Sequence, residues 1–353
     1  MGFFIFIVVT LFLLIDRKTK IVFFLSFLYL WFVFGWCSYT PDMEIYRWRY
    51  EEYDSEWMEM ITEPGYSMAM GMFHKHGFHL PDIYIFISFF FLLSLYFYVY
   101  KSTKNRSAVI GLILISIYPL LVTLLRTTFA FTLDFIAFYI LINYETKIRF
   151  LFFSLLIVLA TQIHSLSILY LVFMGALFIK GENLNKIVLI ALGCSQVAIT
   201  LASVLMPDVM AMFDMTEKTE QFMEDTEAEA NKLVQFLLAV FRILSVVIIP
   251  FGIQFILKKK NIVFSNKEKV IMDMNKVGLL VIPLLVISHD LYRVFFVFAV
   301  INFCFAANYM KNKRCFWFTL LAACNVGYWF IWRPYFEQVF YSVYTRNYLL
   351  CYL

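Results

Sequence analysis

Apolar runs of membrane-crossing length recur along this chain from residue 2 to residue 332, and the loops between them alternate in charge. A helix that crosses the hydrocarbon layer takes about 20 residues, with roughly 17–25 as the working range. Runs near that length fall at 2–15, 20–37, 82–100, 107–125, 127–143, 149–164, 165–180, 187–206, 233–257, 276–290, 292–310 and 315–332. The expected fold is an all-α polytopic membrane protein with about 12 transmembrane helices. Composition points the same way: 62% of residues are hydrophobic, only 15% are charged, and 42 are Phe. A water-soluble domain of that make-up would expose apolar patches large enough to aggregate, whereas lipid solvates them. Met1–Ile15 has no basic start and no small-residue cleavage site, so it reads as a retained span rather than a signal peptide.

Every second loop is basic: Arg17–Lys20, Lys101–Arg106, Lys147–Arg149, Lys180–Lys186, Lys258–Lys276 and Lys311–Arg314. Of the alternate loops, Cys37–Pro81 carries Asp42, Glu44, Glu51, Glu52, Asp54, Glu56, Glu59 and Glu63, and Pro207–Lys232 is comparably acidic. Lys and Arg in short loops stay in the cytoplasm. The pattern therefore predicts a single integral domain over 1–353 with two acidic extracytoplasmic loops, 37–81 and 207–232. The amino terminus is expected outside. The longest cytoplasmic loop, Lys258–Lys276, is too short for a nucleotide-binding domain, and no Gly-rich phosphate loop occurs. Any activated group must arrive with the substrate. The two halves show no internal repeat, which weighs against a transporter.

Ionisable and polar groups at membrane depth are costly and mark candidate sites. Here they cluster at the outward ends of separate spans: Arg126, Gln162, His164, Ser165, His289, Asp290 and Arg293, with Asp134 deeper. The guanidinium fork of Arg126 and Arg293 matches a phosphate bidentately. Asp42 and Glu63 are the external carboxylates that could take a proton from a hydroxyl. His164 could serve as base or as donor to a leaving phosphate. A structural reading stands beside each. Arg126 could snorkel or pair with Asp134, Asp290 and Arg293 could neutralise each other at i, i+3, and His164 could be a hydrogen-bonded helix end. His74, His76 and His79 have spacing that suits no helical face, so a metal site is not expected. The six cysteines form no close pair and read as small buried hydrophobes. Trp36, Trp48, Trp57, Trp329 and Trp332 read as interfacial anchors.

The order of these residues resembles a known family. Asp42 and Tyr46 precede Glu63-Pro64-Gly65-Tyr66; then come Leu124-Leu125-Arg126-Thr127-Thr128-Phe129-Ala130, Gln162-Ile163-His164-Ser165-Leu166-Ser167, and finally Arg293. The pattern is similar to the EpsG family, the Wzy-type polymerases of bacterial surface polysaccharides, over about residues 1–310. Thr40-Pro41 and Thr127 depart from it. The resemblance implies a GT-C-like glycosyltransferase in the bacterial cytoplasmic membrane, its active site facing outward. It would join undecaprenyl-diphosphate-linked repeat units into O-antigen, capsule or exopolysaccharide. It implies no metal and no other cofactor, catalytic roles among Asp42, Glu63 and His164, and substrate contacts from Arg126, Arg293, Tyr46, Tyr66, Gln162, Asp290 and Tyr292. A chain-length regulator is the further partner implied, and no nucleic acid. A flippase of the same repeat unit, or an O-acyltransferase decorating the glycan, are the alternatives. The physical reading of Glu63-Pro64-Gly65-Tyr66 is a turn in which Pro64 extends Glu63 and Gly65 supplies conformational freedom.

Overall fold

The computed structural model describes residues 2–15, 19–51, 63–179, 181–193, 228–258, 262–286, 288–332 and 343, and these are all-helical with no strand among them. The first half contributes α1 (Gly2–Ile15), α2 (Lys20–Gly35), α3 (Met43–Glu51), α4 (Pro64–Lys75), α5 (Leu80–Ser102), α6 (Arg106–Ser116), α7 (Tyr118–Thr123), α8 (Leu125–Asn143) and α9 (Ile148–Ile163). A 3-10 helix, Ser165–Met174, leads into α10 (Gly175–Phe178) and α11 (Gly181–Gly193). After them come α12 (Ala228–Leu257), α13 (Asn266–Gly278), 3-10 turns at Leu279–Val281, Pro283–Val286 and His289–Val294, α14 (Phe295–Ala307) and α15 (Lys313–Gly327). Four described stretches are long and apolar enough to cross a membrane: Leu80–Ser102, Leu125–Asn143, Val234–Leu257 and Asp290–Ala307. Five shorter apolar helices stand beside them.

The centre of the bundle is α14, every residue of which from Phe295 to Ala307 is buried. A helix apolar on all sides belongs in an interior. It packs on α6, α12, α13 and α15, while α5, α8 and α9 form a second wall and α2 lies against α5. Aromatic rings fill the seams: Phe138 meets Phe153, Tyr170 and Phe298 edge-on at 5.1–5.4 Å between centroids. One neutral polar knot sits in this core. Asn275 and Asn302 exchange two amide hydrogen bonds at 2.7 and 2.8 Å, and Asn302 Nδ2 also donates to the Val246 carbonyl. Basic groups collect at one end, where Arg149 Nη1 donates to the Tyr144 carbonyl at 2.5 Å and Lys267 reaches Asn143 at 3.0 Å.

Several boundaries differ from expectation. The stretch 37–81 contains two helices, α3 and α4, and its residues 52–62 lie outside the described part. The loop 258–276 is largely α13, started by a Ser265–Glu268 capping box. The expected span 276–290 is not one helix, because α13 ends at Gly278 and 3-10 turns follow around Pro283. The run 107–125 breaks at Ile117, just before a helix with Pro119 in its first turn. Residues 207–227 of the second acidic loop lie outside the described residues, and 228–232 begin α12.

Candidate functional site

Glu63 is the hub. It sits in extended conformation at the N-cap of α4, with Pro64 opening the helix. Gly65 does not have a positive φ, the sole described glycine of that kind being Gly77. Its role is close approach rather than turn freedom. A Cβ at Gly65 would lie 2.7 Å from Gln162 Cβ and 2.8 Å from the Gln162 carbonyl oxygen. The missing side chain lets α4 press on the last turn of α9, and this delivers Glu63 to the point where α9 ends. There His164 adopts an extended backbone and the 3-10 helix begins at Ser165.

The Glu63 carboxylate accepts from several groups at once. Arg126 Nη1 donates to Oε2 at 2.6 Å; the Ser165 backbone N–H and hydroxyl donate to Oε1 at 3.2 and 3.1 Å; His164 Nδ1 stands 3.4 Å from Oε1. The Glu63 side chain is only 3% exposed, whereas that of Arg126 is 25% exposed. Burial by itself would raise the carboxyl pKa. The His164 hydrogen bond, the Arg126 charge and the Ser165 N–H overcome it and hold the group at about 2. Arg126 therefore pairs with Glu63 and not with Asp134, whose Oδ2 instead accepts from the Ser167 hydroxyl at 2.9 Å. Two buried atoms nearby, His164 Nε2 and Asp134 Oδ1, have no hydrogen-bond partner among the described residues.

A second group faces the first. Asp42, in the turn before α3, lies within electrostatic reach of Arg293, Arg126 and Asp290. Burial pushes its carboxyl above the usual range; the two arginines oppose that and Asp290 adds to it. Tyr46, one turn along α3, lies close to the backbone and the charge of Arg126. Tyr66 is buried on α4 and feels Tyr46, Arg126 and Arg49. Arg293 Nη2 pairs with Asp290 Oδ1 at 3.2 Å across the 3-10 turn, with Asp290 about half exposed. Tyr292 is buried between Phe296 and Phe330. Thus Asp42, Tyr46, Glu63, Tyr66, Arg126, Gln162, His164, Asp290, Tyr292 and Arg293 come from α3, α4, α8, α9 and the His289–Val294 turn to one end of the bundle.

His74, His76 and His79 serve separate ends. His74 packs its ring on Tyr50 at 5.4 Å, His76 contacts the Met72 carbonyl at 2.7 Å, and His79 caps α5. No group of three His, Cys, Asp or Glu with metal-holding geometry occurs among the described residues. Cys37 and Cys304 are buried free thiols, and Cys324 is a free thiol that is exposed rather than buried as expected. One residue was missed at the sequence level. Arg242 lies inside the apolar run of α12, buried, with its guanidinium 4.1 Å above the Tyr292 ring and Nε donating to the Trp329 carbonyl at 3.1 Å. A lone Arg amid apolar residues from 234 to 257 was its visible signal.

Apolar spans packed around a buried core, with carboxylates and guanidinium groups gathered at one end, define a polytopic membrane protein carrying a charged site. The chain belongs to the EpsG family, whose model matches residues 20–345. No curated relative and no solved structure matches it. Family membership suggests an exopolysaccharide polymerase-type role.

Proposed function

We propose that the protein is a GT-C-type, metal-independent polysaccharide polymerase of the bacterial cytoplasmic membrane, working on undecaprenyl-diphosphate-linked repeat units at the outer membrane face. The observation that carries this reading is that Arg126 and Arg293, from distant parts of the chain, both lie within electrostatic reach of one half-buried carboxylate, Asp42. The arginines suit the diphosphate of the donor lipid. Asp42, with its raised pKa, suits the acceptor hydroxyl better than Glu63. A carboxylate held at about 2 by four donors is a weak proton acceptor.

In the proposed step the acceptor sugar hydroxyl attacks the anomeric carbon of the donor glycan. The new C–O bond forms as the bond to the diphosphate oxygen breaks. The hydroxyl proton passes to Asp42, and the electron pair leaves with undecaprenyl diphosphate, whose charge the arginines hold. Glu63 fixes the Arg126 fork and the His164–Ser165 corner, a positioning role. The basic residues at the opposite end of the bundle, Arg149 and Lys267, support the outward placement.

The test is complementation of a cell lacking the protein. Arg126→Ala and Arg293→Ala are expected to insert normally yet give single displayed repeat units instead of a ladder. Normal ladders from both variants overturn the reading. Repeat units trapped inside point to a flippase, and intact polymer lacking acetyl groups to an acyltransferase.

A further inference from the structure

The two site arginines, Arg126 and Arg293, are already matched by acid. Arg126 pairs with Glu63 and Arg293 with Asp290, and Asp42 stands within reach of both. Paired in this way, they offer a diphosphate less unopposed charge than a guanidinium with no acid beside it. Arg242 supplies one. Only 3% of the residue is exposed, and no carboxylate lies within ion-pair distance of it among the described residues. Its protein partners are the Tyr292 ring beneath the guanidinium plane and the Trp329 carbonyl on Nε. The Trp329 indole in turn stacks on Phe241, the neighbour of Arg242, at 4.7 Å.

A cation removed from water into an apolar bundle is expensive unless an anion meets it. The aromatic stack offsets part of this and also orients the fork, since one face rests on Tyr292 and Nε is committed, leaving the two Nη groups to donate. Tyr292 precedes Arg293 in the same 3-10 turn, so the ring on which Arg242 rests belongs to the turn that carries the Arg293–Asp290 pair.

We propose that Arg242 is a third guanidinium of the anion site, contacting the diphosphate of a lipid-linked substrate from the α12 side. This rests on the polymerase reading above and deepens it, because it makes the diphosphate rather than the glycan the group that α12 recognises. The chemistry recognised is a diphosphate; its lipid-borne and free forms are told apart by the test.

The full-length protein in phosphatidylcholine nanodiscs is titrated with undecaprenyl diphosphate, with inorganic pyrophosphate, and with anionic phosphatidylglycerol as competitor. The wild type is expected to bind undecaprenyl diphosphate in preference to the other two. Arg242→Gln is expected to weaken that binding by about tenfold or more, and Arg242→Lys by less, since it keeps a charge but loses the planar fork. Thermal unfolding without ligand separates binding from folding. If Arg242→Gln does not fold, Arg242→Lys carries the test, and wild-type affinity in that variant overturns the inference. Equal binding by a folded Arg242→Gln overturns it and leaves the polymerase reading intact. Failure of the wild type to bind the lipid diphosphate overturns the polymerase reading itself. Displacement by phosphatidylglycerol at equal concentration makes the site a general headgroup contact and also rejects the inference.

Discussion

The Asn275–Asn302 knot and the Glu63 cluster are both buried polar groups in an apolar bundle, but they differ in charge and in completeness. The two asparagines are neutral and answer each other: both amide oxygens accept, and spare N–H groups reach the Ile271 and Val246 carbonyls. Around Glu63 the carboxylate and the Arg126 guanidinium are ionised, Arg126 remains partly accessible, and His164 Nε2 and Asp134 Oδ1 have no partner among the described residues. A closed neutral network is what helix packing in lipid asks for. A charged, incompletely answered one carries a cost that packing does not require. The first locks α13, α14 and α12 together; the second leaves polar atoms unanswered among the described residues.

That contrast can be broken most forcefully at Glu63. Replacing it by Ala releases Arg126, His164 and Ser165 together, and misplacing such groups by about 1 Å can cost roughly 100-fold in rate. Glu63→Ala is expected to abolish long polymer while the protein remains in the membrane. Wild-type ladders on a polysaccharide gel would reduce the cluster to another structural knot.

Gly65→Ala is the next largest effect. The added methyl meets the Gln162 backbone, which cannot retreat as a flexible side-chain tip could. A loss of about 1–3 kcal/mol is expected from overpacking, together with shortened polymer, because Glu63 moves with α4. A melting curve and a ladder from the same preparation measure both.

The pH response sharpens the contrast within the site. Glu63 has a depressed pKa, so its stabilising contribution is complete above its ordinary value of 4.5 and fades as pH falls toward about 2. Asp42 is shifted the other way. Polymer formation in nanodiscs is therefore expected to rise with pH through the acid range as Asp42 ionises. Asp42→Asn should remove that rise along with most of the activity. A rise that persists in Asp42→Asn would assign the proton to another group.

The smallest effect on chemistry is expected at the asparagines. Asn302→Ala leaves Asn275 unanswered and should cost about 1–3 kcal/mol of stability, with polymerisation per folded molecule unchanged. Asn275→Leu with Asn302→Leu should be close to neutral, since both partners leave together. A loss of specific activity in that double variant would erase the distinction between the two regions.

The sequence by itself determined that the chain is helical and membrane-embedded, because run length and hydropathy are local properties that lipid reads directly. It also marked Arg126, His164 and Arg293, since a polar or charged group in an apolar neighbourhood stands out without any knowledge of the fold, and Glu63 as a carboxylate of the first acidic loop. What each of them touches depended on packing between residues far apart in the chain. Arg126 could reach an acid on its own helix, Asp134, and instead meets Glu63 from a different helix; Gly65 looks like a turn residue and is a contact residue. The central place of α14 and the stacking of Arg242 on Tyr292 were likewise illegible, because an all-apolar run does not say whether its neighbours are lipid or protein. Which helices lie side by side is fixed by side-chain fit among distant segments, and only the tertiary structure holds that information.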